Sequence, residues 1–84
     1  MHTSHPEILV RLRRASGHLQ SVIDMIGAGR PCLDLAQQLH AVEAAIAAAK
    51  KALIHDHIEH CLVDSGAPRE TALLTELKQL AKYL

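Results

Sequence analysis

The chain has 84 residues; 49% are hydrophobic, and nine Lys and Arg residues balance nine Asp and Glu residues. This length allows one small domain, and the high apolar share excludes a disordered chain. The zero net charge gives no overall basic character, so any binding of nucleic acid must come from a local patch.

The composition favours an all-α protein that assembles into an oligomer. Ala, Leu, Ile and Val supply most of the apolar residues, and Tyr83 is the only aromatic one. A chain of this size buries little core, and two cysteines cannot build a disulfide framework. The first residues lack the apolar stretch of a signal peptide, and no apolar run approaches a membrane span. We therefore expect a cytoplasmic protein with reduced thiols.

The first predicted helix runs from about residue 6 to residue 27. Pro6 suits a first helical position. The apolar residues step by four and three, as expected for a helix that packs on other helices: Ile8, Leu12, Ala15, Leu19, Val22 and Ile26. Gly17 interrupts this helix at a cost of about 1 kcal/mol relative to alanine, and a close helix crossing would explain it.

Two more helices are predicted, from about residue 31 to 63 and from about residue 69 to 84. The second is far longer than the average helix of about 12 residues, which is typical of a coiled coil or an oligomeric bundle. Its apolar stripe is Leu35, Leu39, Val42, Ile46, Ala49 and Leu53. The inner face predicted for the third helix is Leu73, Leu77, Leu80 and Leu84, with Glu76 facing water.

Three possible metal ligands, Cys32, His57 and Cys61, lie along the second helix. At 100° per residue, His57 and Cys61 fall within about 20° of Cys32 around the helix. Along the axis, however, Cys32 and His57 are about 37 Å apart. The geometry therefore predicts either an antiparallel dimer with metal sites at its interface or no shared site.

Thiolate and imidazole are ligands for Cu(I), Ni(II), Co(II) and Zn(II), whereas a structural alternative treats the cysteines as apolar filler and the histidines as solvated. In the N-terminal arm, His2 and His5 either complete a coordination sphere or belong to a polar tail. The remaining histidines lie off the stripe, and we expect solvated or supporting roles for them: His18, His40, His55 and His60.

Basic residues cluster twice, at Arg11, Arg13 and Arg14 and at Lys50 and Lys51. They form either a solvated face or a patch that contacts phosphates. The second helix is too long for a helix-turn-helix, and no nucleotide loop, catalytic triad or paired-carboxylate site is present. We therefore do not expect an enzyme.

Two segments resemble the CsoR/RcnR family of bacterial metal-responsive repressors: R-L-R-R-A-S-G-H-L at Arg11 to Leu19, and C-L-D-L-A-Q-Q-L-H-A-V-E-A-A-I at Cys32 to Ile46. The resemblance implies three helices per chain, an antiparallel helical dimer and a flat dimer-of-dimers tetramer. It also implies metal held between protomers by Cys32 of one chain with His57 and Cys61 of the other. Operator DNA would be bound through basic residues of the first and second helices: Arg11, Arg13, Arg14, Lys50 and Lys51.

The resemblance leaves the metal open between two branches. The copper branch uses Cys-His-Cys and often has a tyrosine where this chain has Pro31. The nickel and cobalt branch adds an N-terminal histidine, for which His2 and His5 are available. The formaldehyde-sensing branch lacks a ligand at the Cys61 position, and the persulfide-sensing branch does not need His57.

We therefore expect residues 1–84 to form a single metal-sensing, DNA-binding helical domain. In this hypothesis the metal-free form represses by binding operator DNA, and Ni(II) or Co(II) releases it to derepress a metal-efflux gene. The alternatives are a Cu(I)-sensing repressor of the same family and a cytoplasmic metal-buffering protein that does not bind DNA.

Overall fold

The computed structural model describes the backbone of residues 5–64 and 70–84 and the side chains of residues 5–60 and 72–84. This part of the chain forms three α-helices and no strand, which confirms the all-α prediction. The helices are α1 (Pro6–Gly27), α2 (Cys32–Asp64) and α3 (Glu70–Ala81). None of them combines the length and apolar content needed to cross a membrane.

The turn between α1 and α2 reverses the chain within four residues. Gly29 has a φ of +73°, a left-handed conformation that a residue with a Cβ rarely adopts. The backbone N–H groups of Ala28 and Arg30 donate to the carbonyls of Asp24 and Met25 at 2.9 and 3.1 Å. These bonds satisfy carbonyls that the end of a helix leaves without partners. The tight reversal lets α1 and α2 pack as an antiparallel pair.

The core is the contact between α1 and α2. The buried side chains of the described residues are all apolar and come from these two helices: Ile8, Ala15, Val22, Val42, Ala49 and Ile54. Val22 is only 1% exposed, and full burial of such a side chain contributes about 1.5–3 kcal/mol. On α1 the buried residues recur every seven positions, the spacing of a helix that contacts one partner helix along a single line, as in a coiled coil.

Only part of each predicted apolar stripe is buried, three of its six residues on α1 and two of its six residues on α2. Six large apolar residues beside the buried ones remain 39% to 52% exposed, and we call them the open apolar face: Leu12, Leu19 and Ile23 of α1 with Leu39, Ile46 and Leu53 of α2. They lie about 20–60° around from Ile8 on α1 and from Val42 on α2, in the same rotational sense. In an antiparallel pair this places them on one side of the hairpin. A two-helix contact is too narrow to cover the full stripes.

α3 packs against α2 and ends sooner than expected. Leu73, Leu77 and Leu80 are partly buried, but Leu84 is 56% exposed, so its assignment to the inner face was wrong. The helix ends at Ala81, and the next two residues form a turn. In this turn the Tyr83 N–H donates to the Leu80 carbonyl at 2.9 Å, three residues back rather than four.

The fold offers no close crossing at Gly17. A Cβ built there meets nothing within 4 Å apart from its own helix, and its φ is negative. The explanation predicted from the sequence therefore does not hold within one chain.

Candidate metal centre and DNA-binding surface

Cys32 is the first residue of α2, and its thiol is exposed and not in a disulfide. It lies about 80° around α2 from the buried Val42, on the side of the open apolar face. The thiol therefore sits where a second chain packed on that face would reach it.

His57 lies on the same side of α2, about 60° from Val42, and is held by α3. Its Nε2 is 2.7 Å from Glu76 Oε1. A carboxylate only accepts hydrogen bonds, so Nε2–H is the donor. Metal-ligating histidines commonly donate one ring N–H to a carboxylate, which orients the ring. The His57–Glu76 pair has this form.

The sequence did not reveal the contact between Glu76 and His57. The Glu76 side chain is 47% exposed, in line with the expectation that it faces water, yet its carboxylate also contacts His57 of α2. Its position in the sequence could have indicated this contact. Glu76 directly precedes the inner-face residue Leu77, and a residue next to an inner-face position lies at the edge of the helix contact.

Cys61 follows His57 by four residues in α2, and its side chain lies outside the described part of the structure. α2 runs without a break from Cys32 to Asp64. Cys32 and His57 are therefore separated by about 37 Å along its axis. Among the described side chains, no group of three His, Cys, Asp or Glu residues could hold an ion. One chain does not bring Cys32 to His57.

His5 connects the N-terminal arm to the end of α2. Its Nδ1 is 2.6 Å from Oδ2 of Asp56, the residue before His57. Asp56 Oδ1 is also 3.3 Å from His60 Nδ1, which donates to the Asp56 carbonyl at 2.8 Å. Asp56 lies about 100° around the helix from His57. His5 is thus near the predicted metal ligands but on the adjoining side of α2.

The other predicted arm ligand, His2, lies outside the described residues. Of the off-stripe histidines, His40 is 83% exposed and lies 3.9 Å from Glu43, as expected for a solvated side chain. His18 instead joins the two helices, with Nε2 at 2.6 Å from Gln38 Oε1. That bond gives His18 a structural role in the hairpin.

The five predicted DNA-contacting residues are all exposed, and none makes an ion pair with another described residue: Arg11, Arg13, Arg14, Lys50 and Lys51. Their charges are therefore available to an external anion. They do not share one face, because Arg11 and Arg13 differ by about 160° around α1 and Lys50 and Lys51 by about 100° around α2. A single protomer does not form one continuous basic patch.

Comparison with known proteins gives the family. A family model described as "Metal-sensitive transcriptional repressor" matches residues 4–84. The copper-sensing transcriptional repressor CsoR of Mycobacterium ulcerans (strain Agy99) is 38% identical over 76 residues, which cover 89% of this chain and 65% of that protein. The chain thus spans slightly less than two thirds of that relative.

Two further proteins agree with this match. The copper-sensing transcriptional repressor CsoR of Bacillus subtilis (strain 168) is 34% identical over 81 residues, covering 90% of this chain and 80% of that protein. The nickel-responsive transcriptional regulator InrS has the same fold, with a TM-score of 0.84 and 27% identity over 100% of this chain and 97% of that chain. The chain belongs to the CsoR/RcnR family of metal-sensitive transcriptional repressors.

Proposed function

We propose that this chain is a metal-responsive repressor whose metal sites form between two protomers. Each site takes Cys32 from one chain and His57 with Cys61 from the other. Without metal the assembly binds operator DNA, and metal binding releases it to derepress a metal-efflux gene. The chain acts as a regulator and not as an enzyme.

The observation that carries the proposal is the unbroken helix α2. It holds Cys32 and His57 about 37 Å apart and on the same side. It also keeps both ligands beside the exposed residues of the open apolar face, which is 39% to 52% exposed in one chain. An antiparallel second chain on that face would cover the apolar residues. The same packing would bring each Cys32 to the partner's His57 end.

The donor set fits a late transition metal. Two thiolates and an imidazole suit Cu(I), Ni(II) and Co(II) better than hard ions such as Mg²⁺ or Ca²⁺. The His57–Glu76 bond of 2.7 Å supplies the carboxylate that usually orients a ligating imidazole. Thiols and imidazole must lose their protons to bind metal, so the affinity of the site falls as the pH is lowered.

We favour Ni(II) or Co(II) because the N-terminal arm ends close to the site. His5 is bonded to Asp56, which is adjacent to His57 in the sequence, so an imidazole from the arm is available at this end of α2 as a fourth ligand. His2 is the other candidate from the same arm. A four-coordinate nitrogen and sulfur set suits planar Ni(II). The nickel-responsive InrS shares the whole fold with this chain.

Cu(I) is the second candidate. The relatives from M. ulcerans and B. subtilis are both copper-sensing repressors. Cys32, His57 and Cys61 alone would satisfy a three-coordinate Cu(I) ion, with His5 left on Asp56. The two candidates therefore differ in whether the arm is needed.

Anaerobic titrations distinguish the metals. If Ni(II) is the signal, it binds with thiolate charge-transfer bands, and His5→Ala or His2→Ala removes the planar spectrum. If Cu(I) is the signal, both variants keep their Cu(I) affinity. Nickel binding that is indifferent to both substitutions contradicts our preferred metal.

Operator binding is assigned to the exposed arginines of α1, Arg11, Arg13 and Arg14, with Lys50 and Lys51 of α2 contributing. Because these side chains point to several sides of one protomer, we expect the patch to form when protomers assemble. Linkage requires DNA to weaken metal binding by the same factor by which metal weakens DNA binding.

A gel-shift experiment separates the repressor from a metal buffer. The metal-free chain should retard the DNA upstream of its own gene, and metal should reverse the shift. Cys32→Ala should still bind DNA but no longer respond to metal, whereas His40→Ala, which changes an exposed histidine, should behave as wild type. A metal-free chain that binds metal but never retards this DNA would instead be a metal buffer.

A further inference from the structure

Gly17 occupies the middle of α1, where its backbone conformation does not require glycine. Its φ is negative, and a Cβ there meets no atom within 4 Å apart from its own helix. Glycine is less favourable than alanine in a helix interior. No contact among the described residues accounts for this weaker choice, so we consider a contact that another molecule would make.

Within one turn of Gly17, the exposed residues on its side of α1 are basic or polar. Arg13 and Arg14 lie one turn earlier, about 40° and 60° to either side of Gly17, so the bare backbone lies between two guanidinium side chains. Ser21, one turn later, donates its hydroxyl to the Gly17 carbonyl at 3.3 Å. Asp24 bounds this surface two turns after Gly17, where it accepts from Gln20 Nε2 at 3.1 Å.

Gly17 points away from both apolar surfaces of α1. It lies about 180° around the helix from Ile8, which faces α2, and about 120–160° from the open apolar face. A second chain packed on the open apolar face would leave Gly17 uncovered. The two arginines beside it would also repel the same surface of another copy.

We propose that Gly17 is a contact point for the DNA backbone, where the missing side chain lets a phosphate approach α1 between Arg13 and Arg14. This inference rests on the proposed operator binding, and it adds an uncharged residue, Gly17, to the basic residues proposed to contact DNA. Glycine is the residue that permits such close approach of a backbone to a ligand. The arginines supply the charge complementarity, and Gly17 sets the distance at which they act.

The test compares Gly17→Ala and Gly17→Gln with the wild type and with Gly27→Ala. Ala and Gln are both good helix formers, so both substitutions at Gly17 should raise the midpoint of thermal unfolding. Gly27→Ala is the matched control. It lies at the end of α1, where a Cβ also meets nothing within 4 Å and φ is not positive.

We expect Gly17→Ala to weaken binding of the metal-free chain to the DNA upstream of its gene by roughly tenfold, and Gly17→Gln to weaken it more. Both should keep the oligomeric state in analytical ultracentrifugation and the metal affinity of the wild type. Gly27→Ala should bind DNA as the wild type does. A protein that is more stable yet binds DNA less tightly supports the inference.

Two results overturn the inference. The first is DNA binding by both Gly17 variants that equals that of the wild type. The second is a loss of assembly in the Gly17 variants, which would mean that another copy of the chain contacts this position. A wild-type chain that never binds the DNA overturns the proposed function as well, and so is distinguished from a failure at Gly17 alone.

Discussion

At the scale of single residues, the hydrogen bond between His57 and Glu76 links the proposed metal site to α3. The 2.7 Å contact joins α2 to α3, two helices that pack against each other. A metal at His57 would therefore act on α3 as well as on α2. In our account the last helix therefore takes part in the response to metal.

Replacing Glu76 by alanine should lower the metal affinity by about 10- to 100-fold, the usual effect of removing a carboxylate that orients a ligating histidine. Competition with a chelator of known affinity measures the loss. Glu43→Ala is the matched control, because Glu43 is 82% exposed and lies 3.9 Å from a histidine that is also exposed. Equal affinities of the two variants would contradict an orienting role for Glu76.

The sequence predicted which residues share one side of a helix, but it did not predict the hydrogen bonds between helices. The common side of Cys32 and His57 follows from the helical repeat, and both lie on the side of the open apolar face. The bond between His5 and Asp56 joins residues 51 positions apart, which no local pattern reveals. Glu76 is exposed as expected, but its bond to His57 was missed for the same reason, since the packing of α3 on α2 decides which side chains meet.

At the scale of elements, Ile8, Ala15 and Val22 recur every seven residues, so α1 buries one narrow line of side chains against α2. The apolar residues beside that line stay exposed. The predicted stripes are wider than one helix contact. The three helices and their approximate bounds could be predicted, because apolar periodicity and Gly or Pro breaks are local signals. Which half of each stripe is buried within the chain depends on the partner helix.

Ile46→Glu should break the assembly, because the open apolar face would have to bury a carboxylate against the second chain. We expect a smaller sedimentation coefficient and a loss of metal affinity, although no ligand is changed. Leu33→Glu is the control, since Leu33 is 68% exposed and lies about 180° around α2 from Val42. If Ile46→Glu sediments as the wild type does, the second chain packs elsewhere.

At the scale of the whole molecule, we propose that one chain supplies two half-sites, one at each end of α2. The described part of the chain measures 58 Å in its longest dimension, and the proposed ligands Cys32 and His57 lie about 37 Å apart along α2. In our account metal binding therefore depends on assembly, because each metal ion links two protomers. One ion would bind at each end of the paired α2 helices. DNA affinity responds because the arginines of α1 belong to the same assembly.

The most direct test of this account mixes two defective chains. Cys32→Ala lacks one half of every site and His57→Ala lacks the other half, so neither alone should bind metal tightly. In a dimer with one chain of each kind, one site regains Cys32, His57 and Cys61, while the other lacks both Cys32 and His57.

The mixed dimer, isolated with two different affinity tags, should bind about half as much metal as the wild-type dimer, with wild-type affinity, because one of its two sites is intact. Anaerobic titration followed by thiolate charge-transfer absorption measures this stoichiometry. Metal binding at the background level of the two parent variants would contradict a site shared between protomers.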